Sequence, residues 1–193
     1  MTLIPLPDAK LYFEPEFFAA SLAAIYFNEL LNSTEWHQQH ISCFGKRVPV
    51  PRLTAWKAED DLTYSYSGIS LPPHQISNSL HTIKEQLEER FQLRFNSVLL
   101  NRYRDGNDSV SWHADDENVL GEEPDIASVS LGATRRFQMK HRRFANEKLT
   151  LDLSHGSVLL MRGRTQKNWL HRVPKTRKAV GERINLTFRF VHR

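Results

Sequence analysis

The apolar positions of this chain change period between its first and second halves. Over 15–31, Phe17, Phe18, Leu22, Ile25, Tyr26 and Leu30 recur three or four residues apart, which lines one face of an α-helix, and Asn32-Ser33 supplies a stop. A second helical pattern over 74–91, carried by Ile76, Leu80, Ile83 and Leu87, follows the start signal Pro72-Pro73. Beyond it the runs 95–103, 110–113, 126–131, 136–140, 149–153, 158–161 and 184–191 are short, rich in β-branched and aromatic residues, and separated by Gly, Asn, Asp or Pro, so they read as strands. No helical pattern interrupts them, which argues against a parallel βαβ sheet. The expectation is a mainly β fold with N-terminal helices packed on one side of an antiparallel sandwich or jelly roll. Residues 41–68 read as loops and short hairpins, where binding residues concentrate.

Composition narrows the class. A chain of 193 residues with 40% hydrophobic content supports one domain with a real core. The single Cys43 excludes an internal disulfide, the N-terminus lacks the layout of a secretory leader, and no apolar run is long enough to span a bilayer. The expected setting is therefore the reducing cytoplasm, or the nucleus in a eukaryote, without membrane association, and a monomer is the default for this size. The net charge of +4 hides an asymmetry, because residues 134–193 hold sixteen Lys/Arg against three Asp/Glu. Such a basic segment suits a polyanionic partner, nucleic acid being the commonest, or else a solvated basic face.

The candidate chemistry begins at His113 and Asp115. In an extended strand residues i and i+2 share a face, so both side chains can reach one ion while Ala114 points away, and His171 within Trp169-Leu170-His171-Arg172-Val173 offers a second imidazole. Two histidines and a carboxylate make the facial triad of non-heme Fe(II) oxygenases, which leaves positions open for co-substrate and dioxygen. The alternative is a set of hydrogen-bonded histidines. In Arg183-Ile184-Asn185-Leu186-Thr187-Phe188-Arg189, alternation places Arg183, Asn185, Thr187 and Arg189 on one face; if that face is buried, the guanidinium forks need carboxylate partners. If it is solvated, the strand is simply amphipathic. Asn101 and Tyr103 share a face in the same way and offer an amide and a phenol.

Taken together, Asn101-Arg102-Tyr103-Arg104-Asp105-Gly106, Ser111-Trp112-His113-Ala114-Asp115-Asp116-Glu117, Ala127 to Phe137, His171-Arg172-Val173-Pro174 and Arg183 to Arg189 resemble, in order, the motifs of the AlkB family of iron- and 2-oxoglutarate-dependent nucleic-acid dealkylases. The resemblance covers about residues 40 to 191. It implies a double-stranded β-helix core over 93–193 and, over 1–92, a helical extension with a nucleotide-recognition lid of hairpins and loops. It also implies His113, Asp115 and His171 as Fe(II) ligands. Arg189 would then meet the 2-oxoglutarate carboxylate far from iron and Arg183 the chelating end, with Asn101, Tyr103, Asn185 and Thr187 completing that pocket. The implied activity is oxidative demethylation of N-alkylated bases of the 1-methyladenine and 3-methylcytosine type in DNA, single- or double-stranded, and in RNA as an alternative; dioxygen is consumed and formaldehyde released.

The resemblance also distributes substrate contacts. Phe44, in a basic hairpin, would be the finger that enters a duplex to flip the base, or else an anchor of that hairpin to the core. Tyr64 and Tyr66 would surround the flipped base, Arg52 would contact phosphate or base, and Trp56 would wall the pocket. Asp116 and Glu117 would face a cationic methylated base, or else form a solvated loop. Pro51-Arg52-Leu53-Thr54-Ala55-Trp56 also resembles a motif of the family, and the following Lys57-Ala58 departs from the aromatic and glycine that many members carry next. Two other readings stay open: the same iron chemistry on another substrate, and a non-enzymatic nucleic-acid-binding domain holding a structural ion.

Overall fold

A computed structural model of the chain describes residues 1–43, 45–59, 64–66, 69–71 and 77–192. In chain order the N-terminal elements are β1 (Thr2–Ile4), β2 (Lys10–Glu14), α1 (Ala20–Ser33), β3 (His40–Cys43), β4 (Lys46–Pro49), β5 (Leu53–Ala58), β6 (Tyr64–Tyr66), β7 (Ile69–Leu71) and α2 (Asn78–Phe91). There follow β8 (Ser97–Tyr103), β9 (Val110–His113), a single 3₁₀ turn (Asn118–Leu120), β10 (Ile126–Gly132), β11 (Arg135–His141) and β12 (Lys148–Leu153). The chain closes with β13 (Ser157–Arg162), the one-turn helix α3 (Thr165–Asn168), β14 (Trp169–Val173) and β15 (Arg183–Arg189).

Two antiparallel sheets face each other. The larger runs β1-β2-β13-β10-β15-β8-β5 and the smaller β12-β11-β14-β9, the double-stranded β-helix of a jelly roll. The hairpins β3-β4 and β6-β7 stand apart from both sheets. α1 and α2 cover the outer face of the large sheet through Tyr26, Leu30, Leu80, Ile83 and Leu87, which meet Val98, Leu100, Val129 and Leu186. Each such aliphatic side chain contributes about 1.5–3 kcal/mol by leaving water. A second cluster, including Ile126, Phe137, Met139, Leu153, Met161 and Trp169, fills much of the space between the sheets.

The helices start later than their apolar periods suggest. α1 begins at Ala20, so Phe17 and Phe18 lie in the preceding turn, where Phe18 enters the core and donates its N–H to the Gly156 carbonyl. Ile25, at 60% exposure, falls off the buried face. α2 begins at Asn78, capped by the Ser77 hydroxyl, which accepts from the Leu80 N–H; the expected start at 74 and Ile76 lie outside the described residues.

The expected division at residue 92 does not follow the sheet. β2 pairs with β13 and β5 pairs with β8, so N-terminal residues complete the large sheet. The helical turns at 118–120 and 165–168 lie in a stretch where no helical pattern was read, and β14 fills a gap between the expected strands 158–161 and 184–191. Turns of three or four residues are too short to show a helical period, and β14 is framed by polar residues and Pro174. Gly132 ends β10 at φ +90°, where a Cβ would lie 2.4 Å from the Glu182 carbonyl oxygen, so the turn into β11 needs glycine.

Candidate active site

Cross-strand register brings the two histidines together. β9 and β14 pair with His113 opposite His171, their rings 4.2 Å apart between centroids, both on the inner face of the small sheet. Trp112, one residue away, points outward and lies under the cations of Arg172 and Lys140. Asp115 does not share a strand with His113 as expected, because β9 ends at His113. Its carboxylate nevertheless turns inward to 1% exposure, and the ligand atoms of His113, Asp115 and His171 all lie within 4.8 Å of one another.

The chemistry of these donors suits a metal. His113 Nδ1 is 2.8 Å from the Ser111 carbonyl, which can only accept, so the proton of a neutral ring sits on Nδ1 and Nε2 keeps its lone pair. Burial pushes His171 down to about 3, with His113 and Arg189 adding to the effect against Asp115, which keeps the imidazole neutral and able to ligate. Burial alone would raise Asp115, yet Arg189, His171 and His113 together hold it at about 2, so it is a carboxylate. Two neutral imidazoles and one carboxylate, with no thiolate, fit a ferrous ion at three positions and leave the others for exchangeable ligands.

Strand β15 supplies the next layer. Arg183, Asn185, Thr187 and Arg189 all face the cavity between the sheets, as alternation predicts, and Asn101 and Tyr103 join them from the neighbouring β8. Arg189 Nη2 donates to Asp115 Oδ1 at 2.8 Å. Arg183, 1% exposed, donates through Nη2 to Ser130 Oγ and lies over the Tyr103 ring, while its Nε and Nη1 have no acceptor in hydrogen-bonding geometry among the described residues. Burial draws its pKa down to about 10, still far above neutrality. A buried cation with two unsatisfied donors facing a cavity is the signature of a site for a carboxylate. Arg189 thus stands against the Asp115 carboxylate, and Arg183 occupies the Tyr103 end of the cavity.

Asn185 donates to Ser128 Oγ and to the Val129 carbonyl, and Thr187 donates to Asn185 Oδ1, so these two brace the cavity wall. Arg52, expected to contact phosphate or base, is 6% exposed and donates from Nε to Asn101 Oδ1; it orients that amide from inside the protein. Trp56 packs with Ala58, Leu99, Leu120 and Val191, one layer behind the cavity wall that it was expected to form. Asp116 is exposed and paired with Arg142 at 2.6 Å, and Glu117 is half-buried beside it. Phe44 lies outside the described residues, and Tyr64 and Tyr66 are described by their backbone as the two ends of β6.

Four contributors had no role assigned from the sequence. Ser128 and Ser130 are legible only as alternate positions of 127–131, facing Thr187 and Asn185 across the register. Gln166 in α3 accepts the Asp115 N–H. Arg135 is 2% exposed and donates to the carbonyls of Asp105, Asp108 and Pro174, with its guanidinium, like that of Arg183, over the Tyr103 ring. Arg135→Leu is expected to destabilise the fold by about 2–4 kcal/mol, because partly or fully buried carbonyls lose their donor. Urea midpoints check this, and a loss below about 1 kcal/mol would contradict it.

The comparisons agree with this geometry. The family model of the 2OG-Fe(II) oxygenase superfamily matches residues 10–189. The chain is 39% identical to the alpha-ketoglutarate-dependent dioxygenase alkB homolog 3 of Mus musculus over 100% of its own length and 70% of that protein. It is 38% identical to the DNA oxidative demethylase ALKBH2 of Arabidopsis thaliana, over 86% of this chain and 61% of that one. Among solved structures, that of OsALKBH1 superposes with a TM-score of 0.65 at 17% identity, covering 98% of this chain and all of the other. A Trichoplax adhaerens prolyl hydroxylase bound to a hypoxia inducible factor peptide gives 0.66 at 12% identity, over 94% of this chain and 83% of that one, and so shares the fold. A match along nearly the whole chain, with His113, Asp115 and His171 gathered where one ion could be held inside the expected jelly roll, makes this protein a member of the AlkB family of Fe(II)- and 2-oxoglutarate-dependent dioxygenases.

Proposed function

We propose that the chain is an oxidative demethylase of N-alkylated bases in DNA. The observation that carries the reading is the shared cavity: His113, Asp115 and His171 at one end and the carboxylate-seeking Arg183 at the other, enclosed between two sheets. Relatives named as DNA oxidative demethylases supply the substrate class. His113, Asp115 and His171 would hold ferrous iron, which with 2-oxoglutarate and dioxygen would supply hydroxylation of an N-methyl group coupled to decarboxylation, the resulting hemiaminal releasing formaldehyde and the unmodified base.

The chain's own residues do the positioning. Arg183, with Tyr103 beside it, grips the co-substrate carboxylate away from the metal. Arg189 neutralises Asp115 and sets the direction of its carboxylate toward the metal. Asn101, oriented by Arg52, and Asn185 with Thr187 close the walls. A methylated adenine or cytosine is a cation, so Asp116 and Glu117, just past the ligand Asp115, provide negative charge at the entrance. The methyl lies on the Watson-Crick edge and is inaccessible in a duplex, so the base must leave the stack, with Phe44 as wedge and Tyr64 and Tyr66 around the extruded ring. The protein acts as a monomer in the cytoplasm or nucleus.

To test this, protein loaded with iron without oxygen is given 2-oxoglutarate, ascorbate and an oligonucleotide carrying 1-methyladenine or 3-methylcytosine, and oxygen is then admitted. Loss of the methyl group by mass spectrometry is expected. Unchanged mass on single-stranded, duplex and RNA oligonucleotides alike would sink the proposal, and turnover on RNA alone would move the substrate to RNA. Binding is expected to weaken as salt rises, with a log-log slope of about −0.7 per phosphate neutralised on a single strand. Tyr66→Ala is expected to slow lesion processing by about tenfold while leaving uncoupled decarboxylation nearly unchanged, since stacking is worth about 1–3 kcal/mol per base. Equal losses in both assays would make Tyr66 structural.

A further inference from the structure

We propose that Gln166 is a positioning residue for the metal centre, fixing the main chain at Asp115 where the sheet no longer can. The inference rests on His113, Asp115 and His171 being metal ligands.

The two histidines are held by ladder pairing, since His171 lies opposite His113 between β14 and β9. Asp115 has no such support, because β9 stops two residues earlier. A carboxylate on a loop ligates well only if the loop is held as rigidly as a strand, and outer-shell hydrogen bonds perform that task in metal sites generally. Here the bond comes from α3. Gln166 Oε1 accepts the Asp115 N–H at 3.0 Å, and its Nε2 lies 3.4 Å from Met161 Sδ, so both ends of the amide are engaged.

The amide is itself well anchored. Gln166 is 1% exposed, and the adjacent Thr165 hydroxyl donates to the Arg162 carbonyl and accepts from the Lys10 N–H, tying α3 to β13 and β2. Asp115 is thus gripped at two points by separate parts of the fold: its carboxylate by Arg189 of β15 and its backbone by Gln166 of α3. Gln166 also lines the outer groove beside Asp116, Arg142 and Lys167, so it is the partition between that groove and the ligand loop. A buried glutamine of purely structural function could as well have been leucine or methionine, since a buried amide costs stability unless its bonds are made.

The full-length metal-free protein and its Q166M and Q166E variants would be titrated with Mn(II) in the presence of 2-oxoglutarate, and exchange of the Asp115 amide proton followed in the metal-free state. Q166M, which fills the volume without the acceptor, is expected to bind Mn(II) about 10- to 100-fold more weakly and to lose protection at the Asp115 amide. Q166E, which retains an acceptor oxygen, is expected to keep that amide protected and to recover affinity. Wild-type affinity in Q166M overturns the assignment, as does weakened binding with an Asp115 amide still protected. If Q166M melts below the assay temperature, Q166N, shorter by one methylene, is read by the same two measurements, and wild-type affinity there overturns it equally. Failure of the wild-type chain to take up Mn(II) would instead remove the metal-site reading on which this inference stands.

Discussion

Asp115→Ala is expected to eliminate metal uptake and all turnover, including decarboxylation of 2-oxoglutarate without a nucleic acid. Two imidazoles alone hold a ferrous ion poorly, and the carboxylate is the anionic ligand of the triad. The same change acts on the fold. Arg189, at 4% exposure, loses its carboxylate partner, and breaking one side of a buried ion pair costs about 3–5 kcal/mol. Asp115→Ala should therefore show both absent Mn(II) binding by calorimetry and a lower urea midpoint. Stoichiometric metal binding by the variant would refute the ligand assignment, and an unchanged midpoint would refute the structural half of the argument. Arg189→Ala provides the complement: Asp115 loses the cation that holds it ionised and oriented, so metal affinity should fall before the 2-oxoglutarate requirement does.

Arg183→Met is expected to raise the KM for 2-oxoglutarate by at least about 100-fold while leaving metal affinity in its absence intact. Two donors of this guanidinium, Nε and Nη1, have no acceptor in hydrogen-bonding geometry among the described residues. A bound carboxylate would complete both, and charge-assisted bonds contribute about 1.5–3 kcal/mol each, or about 10²- to 10⁴-fold in affinity together. Arg183→Lys should not restore the interaction, since an ammonium is a point charge without the two-pronged fork. Steady-state decarboxylation at varied 2-oxoglutarate checks this. A KM within about threefold of wild type would place the co-substrate carboxylate elsewhere, a difference of about 0.7 kcal/mol being too small for a buried ion pair.

Most of the strands of the jelly roll were legible because they are short, rich in β-branched and aromatic residues and bounded by turn residues, which are local properties of the chain. The run 110–113 coincides with β9, and 126–131 and 184–191 lie within two residues of the ends of β10 and β15. β14 was not read as a strand although it carries His171, because Trp169, His171 and Val173 face inward with only Leu170 and Arg172 between them, a pattern too brief beside Pro174. The N-terminal strands were missed for a related reason. β2 and β5 gain stability from pairing with β13 and β8, far away in sequence, and their own periodicity is weak.

The site divides along the same line. Residue types and spacing marked His113, Asp115, His171, Arg183 and Arg189 as candidates with other readings open, and the family resemblance, carried by several motifs in order, chose among those readings. What each arginine does was not legible, since Arg183 and Arg189 share one face of one strand and are equivalent in pattern. Their partners separate them: Asp115 lies 74 residues from Arg189 in sequence and Ser130 lies 53 from Arg183. Arg52 shows the same limit, reading as a surface cation until β5 pairs with β8 and carries the adjoining chain to Asn101.

By itself, then, the amino-acid sequence determined which donors exist and which of them share a strand face, because the two-residue period of a β-strand is set within the strand. Only the tertiary structure decided that Asp115 leaves the strand and is held by Gln166 and Arg189, and that Arg183 is the cation with donors to spare. Those outcomes depend on strand register and on the packing of one sheet against the other, which residues far apart in the chain determine jointly.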